Sequence, residues 1–116
     1  MLTIEGLQSL GVDTADGLKR CMQQEEFYYR LIRMALADTK YGELREAISA
    51  GDLEKGFEYA HGLKGMLANL SLTPLLEPVL EMTELLRARE SCDYSGLLSR
   101  MDEEREKLLA LDGAQQ

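Results

Sequence analysis

The chain has 116 residues, 45% of them hydrophobic, and its 21 acidic against 13 basic side chains give a formal net charge of −8. This length fits one domain that buries a core without disulfides or metal ions. An acidic chain repels phosphate backbones and anionic lipids, which argues against nucleic acids and membrane surfaces as partners. Two prolines, no tryptophan and many leucine, glutamate and alanine residues favour helices over strands.

The first 23 residues predict a helical cap made of two short helices. Residues 3–10 form the first, which ends at Gly11. Asp13 and its polar neighbours offer N-caps for the second, which ends near Met22. We therefore expect a short helical extension ahead of the main fold.

The first long helix is predicted to begin at Gln24 and to continue through the segment GELREAIS. Its apolar residues recur at intervals of three and four, the spacing of one helix face. They are Phe27, Tyr28, Leu31, Met34, Ala35, Leu44, Ala47 and Ile48. Because Tyr28 and Tyr29 are adjacent, their side chains point about 100° apart. We expect at most one of them at the centre of the core, and the other at a docking surface.

Three further amphipathic helices follow. Gly51 and Asp52 supply a stop and an N-cap, so a central helix is expected at about residues 53–70. Thr73 and Pro74 open the next helix, in which Pro78 predicts a late start or a kink. A last helix follows Gly96. Short connections between four helices predict an all-α fold, an antiparallel up-down four-helix bundle over residues 24–111, with a tail at residues 112–116.

Targeting and metal-binding signals are absent from the sequence. The N-terminus has no basic region followed by an apolar run, and no apolar stretch of 18 residues exists. Cys21 and Cys92 are far apart in sequence, so we expect reduced thiols in a cytoplasmic protein. One histidine and two scattered cysteines supply too few ligands for zinc, so no metal site is expected.

The only histidine, His61, lies in the segment AHGLKGMLANL of the central helix. At about 100° per residue, the apolar stripe of this helix falls roughly 140° to 240° from His61, which therefore faces solvent. The stripe consists of Tyr59, Leu63, Met66, Leu67 and Leu70. Its neighbours on that exposed face are Phe57, Lys64, Gly65 and Ala68. A glycine inside a helix costs up to about 1 kcal/mol relative to alanine, and this segment has two, Gly62 and Gly65. Clearance and a cation beside an exposed imidazole suit a nucleophile that meets a bulky anionic donor.

The same segment resembles the signature of histidine-containing phosphotransfer (HPt) domains, H-x-L-K-G with a small residue before the histidine. The matching positions are Ala60, His61, Leu63, Lys64 and Gly65, and Asn69, Leu70 and Leu75 also fit. The family usually has glycine where this chain has Ser71, a departure that bears on how tightly the helix end turns. The resemblance extends in pattern over residues 24–111.

The resemblance implies a phosphocarrier rather than an enzyme. Such domains accept a phosphoryl group on the histidine from the aspartyl phosphate of a receiver domain, or from a sensor or hybrid histidine kinase, and pass it to another receiver. It implies that His61 is the phosphoacceptor, that Lys64 stabilises the phosphoryl charge, and that Thr83 orients the ring. The chain would need no cofactor of its own, because the receiver contributes the Mg²⁺, and we expect a monomer. Phe57, Gly62, Gly65 and Ala68 would form the docking surface.

Two other interpretations remain open. The chain lacks the G-x-x-x-x-G-K-[ST] motif, and its GLKG segment lies inside a predicted helix, so an ATP-using kinase is excluded. It could instead be the isolated phosphoacceptor domain of a chemotaxis-type histidine kinase. It could also be a helical binding module that is never phosphorylated. Labelling by a phosphorylated receiver separates the phosphocarrier and the kinase phosphoacceptor domain from the binding module.

Overall fold

The computed structural model describes residues 1–113, which contain seven α-helices and no strand. The helices are α1 (Ile4–Ser9), α2 (Thr14–Arg20), α3 (Glu25–Leu36), α4 (Lys40–Ser49), α5 (Leu53–Asn69), α6 (Thr73–Arg87) and α7 (Ser95–Gly113). Because α7 continues to Gly113, the predicted tail does not begin at residue 112. Its last part, residues 114–116, lies outside the described residues.

Helices α4 to α7 form an up-and-down bundle as the sequence predicted, but its first helix begins at Lys40 rather than at Gln24. Each packs against the next helix in the chain, across connections at residues 50–52, 70–72 and 88–94. The Asp52 side chain accepts a hydrogen bond from the backbone N–H of Lys55, which caps α5 as expected. Helix α6 begins at Thr73 with Pro74 in its first turn. Pro78 lies inside α6, so the alternative of a late start is wrong.

The first predicted long helix is interrupted at residues 37–39. The side chain of Asp38 accepts a hydrogen bond from the backbone N–H of Lys40 at 2.8 Å, which ends one helix and starts the other. The Tyr41 hydroxyl donates to the carbonyl of Ala35 at 3.0 Å across this break. Short polar side chains compete in this way with helical backbone bonds, so the apolar spacing alone did not reveal the interruption.

The buried face of α3 only partly matches the predicted one, with Tyr28 and Ala35 common to both. Tyr28 and Tyr29 are both buried, so the expectation that one of them lies at a docking surface is wrong. Met34, placed in the predicted stripe, is 64% exposed. Helix α3 contacts both α2 and α7, and two neighbours require two adjacent buried positions. The Tyr28 hydroxyl donates to the carbonyl of Leu70 at 2.8 Å, which ties the N-terminal part to the end of α5.

The turn that ends α5 holds a second link to the N-terminal helices. Ser71 has a φ of +54°, the left-handed region that usually favours glycine. Its hydroxyl donates to the carboxylate of Asp16, and its carbonyl accepts from the backbone N–H of Asp13. The Ser71 hydroxyl, followed by the Arg20 guanidinium, lowers the pKa of Asp16. The helix end therefore turns as a glycine would allow, and the serine side chain is used to bind α2.

Replacing Gly17 by alanine is expected to destabilise the protein by about 1–3 kcal/mol. An alanine Cβ would lie 2.2 Å from the hydroxyl oxygen and 2.4 Å from Cζ of Tyr28. That ring is fully buried and held by its bond to Leu70, so it cannot simply swing away. Urea unfolding measures the loss.

The matched control is Gly42→Ala inside α4, where a Cβ meets nothing within 4 Å. We expect it to be neutral or to stabilise by up to about 1 kcal/mol, since alanine is the better helix former. A Gly17→Ala protein as stable as the parent would contradict the argument.

Candidate functional site

His61 lies in the middle of α5, and its side chain is exposed, as the helical periodicity predicted. The opposite face of α5 is fixed in the core by Gly56, Ala60, Leu63 and Leu67. Because these four residues are buried against neighbouring helices, the imidazole is held outward on a rigid helix. The predicted stripe was slightly rotated, since Tyr59 and Met66 are only half-buried.

Phe57 and Arg87 define how the imidazole is supported. The rings of Phe57 and His61 are stacked, with centroids 5.5 Å apart and planes inclined by 21°. The guanidinium carbon of Arg87 lies over the Phe57 ring, 4.8 Å from its centroid, and a guanidinium nitrogen is 3.4 Å from the Glu84 carboxylate. Phe57, predicted to dock a partner, thus also contacts His61 within the chain. Its ring restricts where the imidazole can rotate.

Arg87 is the site residue that the sequence reasoning missed. It lies in the last turn of α6, four residues after Thr83, which the family resemblance implied to orient the histidine ring. Residues four apart share one helix face, so a side chain one turn after Thr83 is expected on the same side of α6. The resemblance implied a polar group facing the ring at Thr83, and it carried no expectation of a cation that reaches Phe57.

Thr83 is shielded from solvent, and its hydroxyl is bonded to the backbone of its own helix rather than to the imidazole. It is fully buried, and its hydroxyl donates to the carbonyl of Val79 at 2.6 Å. This bond to the residue four positions earlier is the usual choice for a threonine in a buried helix. Within residues 1–113, no hydrogen bond joins Thr83 and His61.

Lys64 is half-buried on α5, one turn after His61 on the same side of the helix. In the described part of the chain, no carboxylate lies within ion-pair distance of its ammonium group. Within residues 1–113, its positive charge therefore has no ion-pair partner. It is available to an anion brought to the imidazole.

The two glycines of the motif have different surroundings. A Cβ built on Gly65 meets nothing within 4 Å, so this side of His61 is open space. Ala68 follows on the same face and is half-buried. Beside Gly62, in contrast, a Cβ would lie 3.0 and 3.1 Å from Cε and Cδ of Lys40. The expected clearance is therefore present at Gly65, whereas the space beside Gly62 is occupied by another residue of the same chain.

Other chemistry is not built into the described residues. Nowhere in residues 1–113 do three or more histidine, cysteine, aspartate or glutamate side chains gather in a way that could hold a metal ion. Across the same residues, no helix has the length and apolar character needed to cross a bilayer. Cys21 and Cys92 are free thiols, and burial raises the pKa of the Cys21 thiol.

The helical bundle exposes one histidine on a rigid helix, beside a lysine that has no ion-pair partner in residues 1–113 and a glycine with open space around it. The sequence model of the Hpt domain matches residues 34–111, more than half of the chain, and this range includes His61 and Lys64. The chain belongs to the Hpt domain family, which confirms the resemblance seen in the sequence. Hpt domains are histidine phosphotransfer modules of two-component phosphorelays, phosphocarriers that interact with receiver domains and kinases. Searches of curated proteins and of solved structures found no match.

Proposed function

We propose that His61 accepts a phosphoryl group from the aspartyl phosphate of a receiver domain, or from a histidine kinase, and passes it to a response-regulator receiver. The single observation that carries this proposal is the exposure of the chain's one histidine on the family motif. Support comes from the unpaired Lys64 and the open space at Gly65. We further propose that the protein acts in the cytoplasm as a monomer, without a cofactor of its own.

The reaction needs one lone pair on the imidazole. In a neutral ring, one nitrogen carries the proton and the other has a free lone pair. By analogy with the family, Nε2 attacks the phosphorus atom while the bond between phosphorus and the receiver's aspartyl oxygen breaks. The aspartate leaves as a carboxylate, and Nδ1 keeps its proton. The Mg²⁺ that helps to neutralise the transferring group belongs to the receiver in this proposal.

The chain's own contribution is positioning and charge, which dominate phosphoryl transfer. The Phe57 ring limits the orientations of His61, and Lys64 places a cation one turn away. The receiver docks on the face that carries Gly65 and Ala68, with Phe57 and Gly62 at its edges.

The proposal is tested by incubating the protein with phosphorylated receivers and, separately, with kinase and ATP, followed by mass spectrometry of the intact chain. Transfer from a receiver supports a phosphorelay intermediate. Labelling by a kinase alone favours the isolated phosphoacceptor domain of a chemotaxis-type kinase. Absence of labelling under both conditions would overturn the proposal and favour a binding module.

Changes at Gly65 separate access from stability. Because a Cβ there has open space, Gly65→Ala is expected to stabilise the free domain by up to about 1 kcal/mol. Gly65→Gln should fold at least as well as the parent but transfer phosphate poorly, because its side chain obstructs the receiver. Thermal melts and transfer rates on the same samples measure both effects.

The control is Gly42→Gln, on α4, whose Cβ also meets nothing within 4 Å. It should transfer phosphate at the parental rate. If the Gly65→Gln protein loses folding, and its rate merely follows the folded fraction, then access is not the reason for this glycine.

A further inference from the structure

The side chain of Lys40 lies against α5 at the residue next to the histidine. A Cβ on Gly62 would be 3.0 Å from its Cε and 3.1 Å from its Cδ, closer than real side-chain contacts normally are. Lys40 is half-buried at the start of α4, a helix that packs against α5. The glycine at position 62 is therefore what allows the lysine stem to lie across the helix there.

Asp38 holds this lysine in place. Its carboxylate accepts the backbone N–H of Lys40 at 2.8 Å, and its oxygens lie 3.3 and 3.5 Å from the ammonium nitrogen. An ammonium group has three N–H donors, so contact with one carboxylate leaves capacity for another anion. A phosphoryl group carries more negative charge than a carboxylate and competes well for such a donor.

Helix geometry puts the Lys40 stem and Lys64 on opposite sides of His61. At about 100° per residue, Gly62 lies about 100° from His61 in one direction, and Lys64 about 60° in the other. The stem of Lys40 covers the first side, and Lys64 stands on the second. A group attached to the imidazole would thus have one cation on each flank, with the open face at Gly65 between them.

We propose that Lys40 is a second cationic contact for the phosphoryl group of His61, placed there by Gly62 and Asp38. This inference rests on the proposed function of His61. In the step concerned, the N–P bond forms as the P–O bond to the receiver aspartate breaks, and Lys40 contributes charge without gaining or losing a proton. A purely structural role for Lys40 would require its methylene stem but not its ammonium group.

Three substitutions separate charge from packing. Lys40→Met keeps an unbranched stem and removes the charge, and it should slow transfer from a phosphorylated receiver about five- to tenfold. Lys40→Arg keeps the charge and should therefore retain most of the parental transfer rate. Gly62→Ala keeps the lysine but displaces its stem, so it should slow transfer to a similar extent. The matched control is Lys107→Met on α7, a surface lysine that lies 3.1 Å from the Glu104 carboxylate, and it should leave the rate unchanged.

The double variant Lys40→Met with Gly62→Ala gives the sharpest readout. If Gly62 acts by placing Lys40, the double variant should be no slower than either single variant. Equal transfer rates for the Lys40→Met and Lys107→Met proteins would overturn the inference. A Lys40→Arg protein that melts like the parent but transfers as slowly as Lys40→Met would overturn it as well. Additive slowing would also overturn it, since Gly62 would then act independently of the lysine.

Labelling of the parent protein is measured first. Its failure would overturn the proposed function, and this inference with it. A labelled parent with unaffected Lys40 variants would overturn only the inference.

Discussion

Replacing His61 by glutamine is expected to abolish phosphorylation and to leave the fold intact. The imidazole is the only one in the chain and faces solvent, so its loss removes the proposed phosphoacceptor without opening a cavity. The stacked contact with Phe57 is given up, and the free energy of unfolding should change by about 1 kcal/mol or less. Phosphate incorporation and thermal melting, measured on the same preparations, check both halves of the expectation.

The chemistry of the label provides the control for this experiment. A phosphoramidate on a histidine should be lost in acid and retained in base, unlike a phosphate ester on a serine or threonine. A parent protein with a base-stable, acid-labile label and an unlabelled His61→Gln protein would agree with the assignment. A glutamine variant that still takes phosphate from a receiver would refute it.

Replacing Lys64 by alanine is expected to slow transfer by roughly ten- to a hundredfold. A charge-assisted contact is worth about 1.5–3 kcal/mol, and tenfold in rate corresponds to about 1.4 kcal/mol. The ammonium has no carboxylate partner in residues 1–113, so removing it should break no ion pair of the fold. Rapid-mixing measurements of receiver-to-protein transfer give the rate.

Lys107→Ala on α7 controls for the change in net charge, because within residues 1–113 this lysine pairs only with Glu104, at the surface. It should transfer at the parental rate. If Lys64→Ala also matches the parent, then the partner supplies all of the charge neutralisation. In that case the role given to Lys64 would be withdrawn.

The parts of the fold that the sequence predicted well depend on local signals. Asp52 caps α5, and Thr73 with Pro74 opens α6, because capping and proline geometry act within one helical turn. The exposure of His61 followed from helical periodicity over α5 alone. Each of these features is decided by residues that are neighbours in the chain.

The missed features are contacts between distant segments. Lys40 reaches Gly62 from another helix, and Arg87 reaches Phe57 from a third. Periodicity cannot show them, because it gives the direction of a side chain but not what lies there. The burial of both Tyr28 and Tyr29 has the same origin, since it required knowing that α3 has two neighbours.

The left-handed turn at Ser71 has a consequence for how the molecule opens. A non-glycine residue in this conformation costs about 1 kcal/mol or more, which the bonds of Ser71 to Asp13 and Asp16 help to offset. Detaching α2 would leave that strain without compensation, and it would also remove support from the end of the helix that carries His61. We therefore expect α2 and the end of α5 to open together, as one cooperative unit.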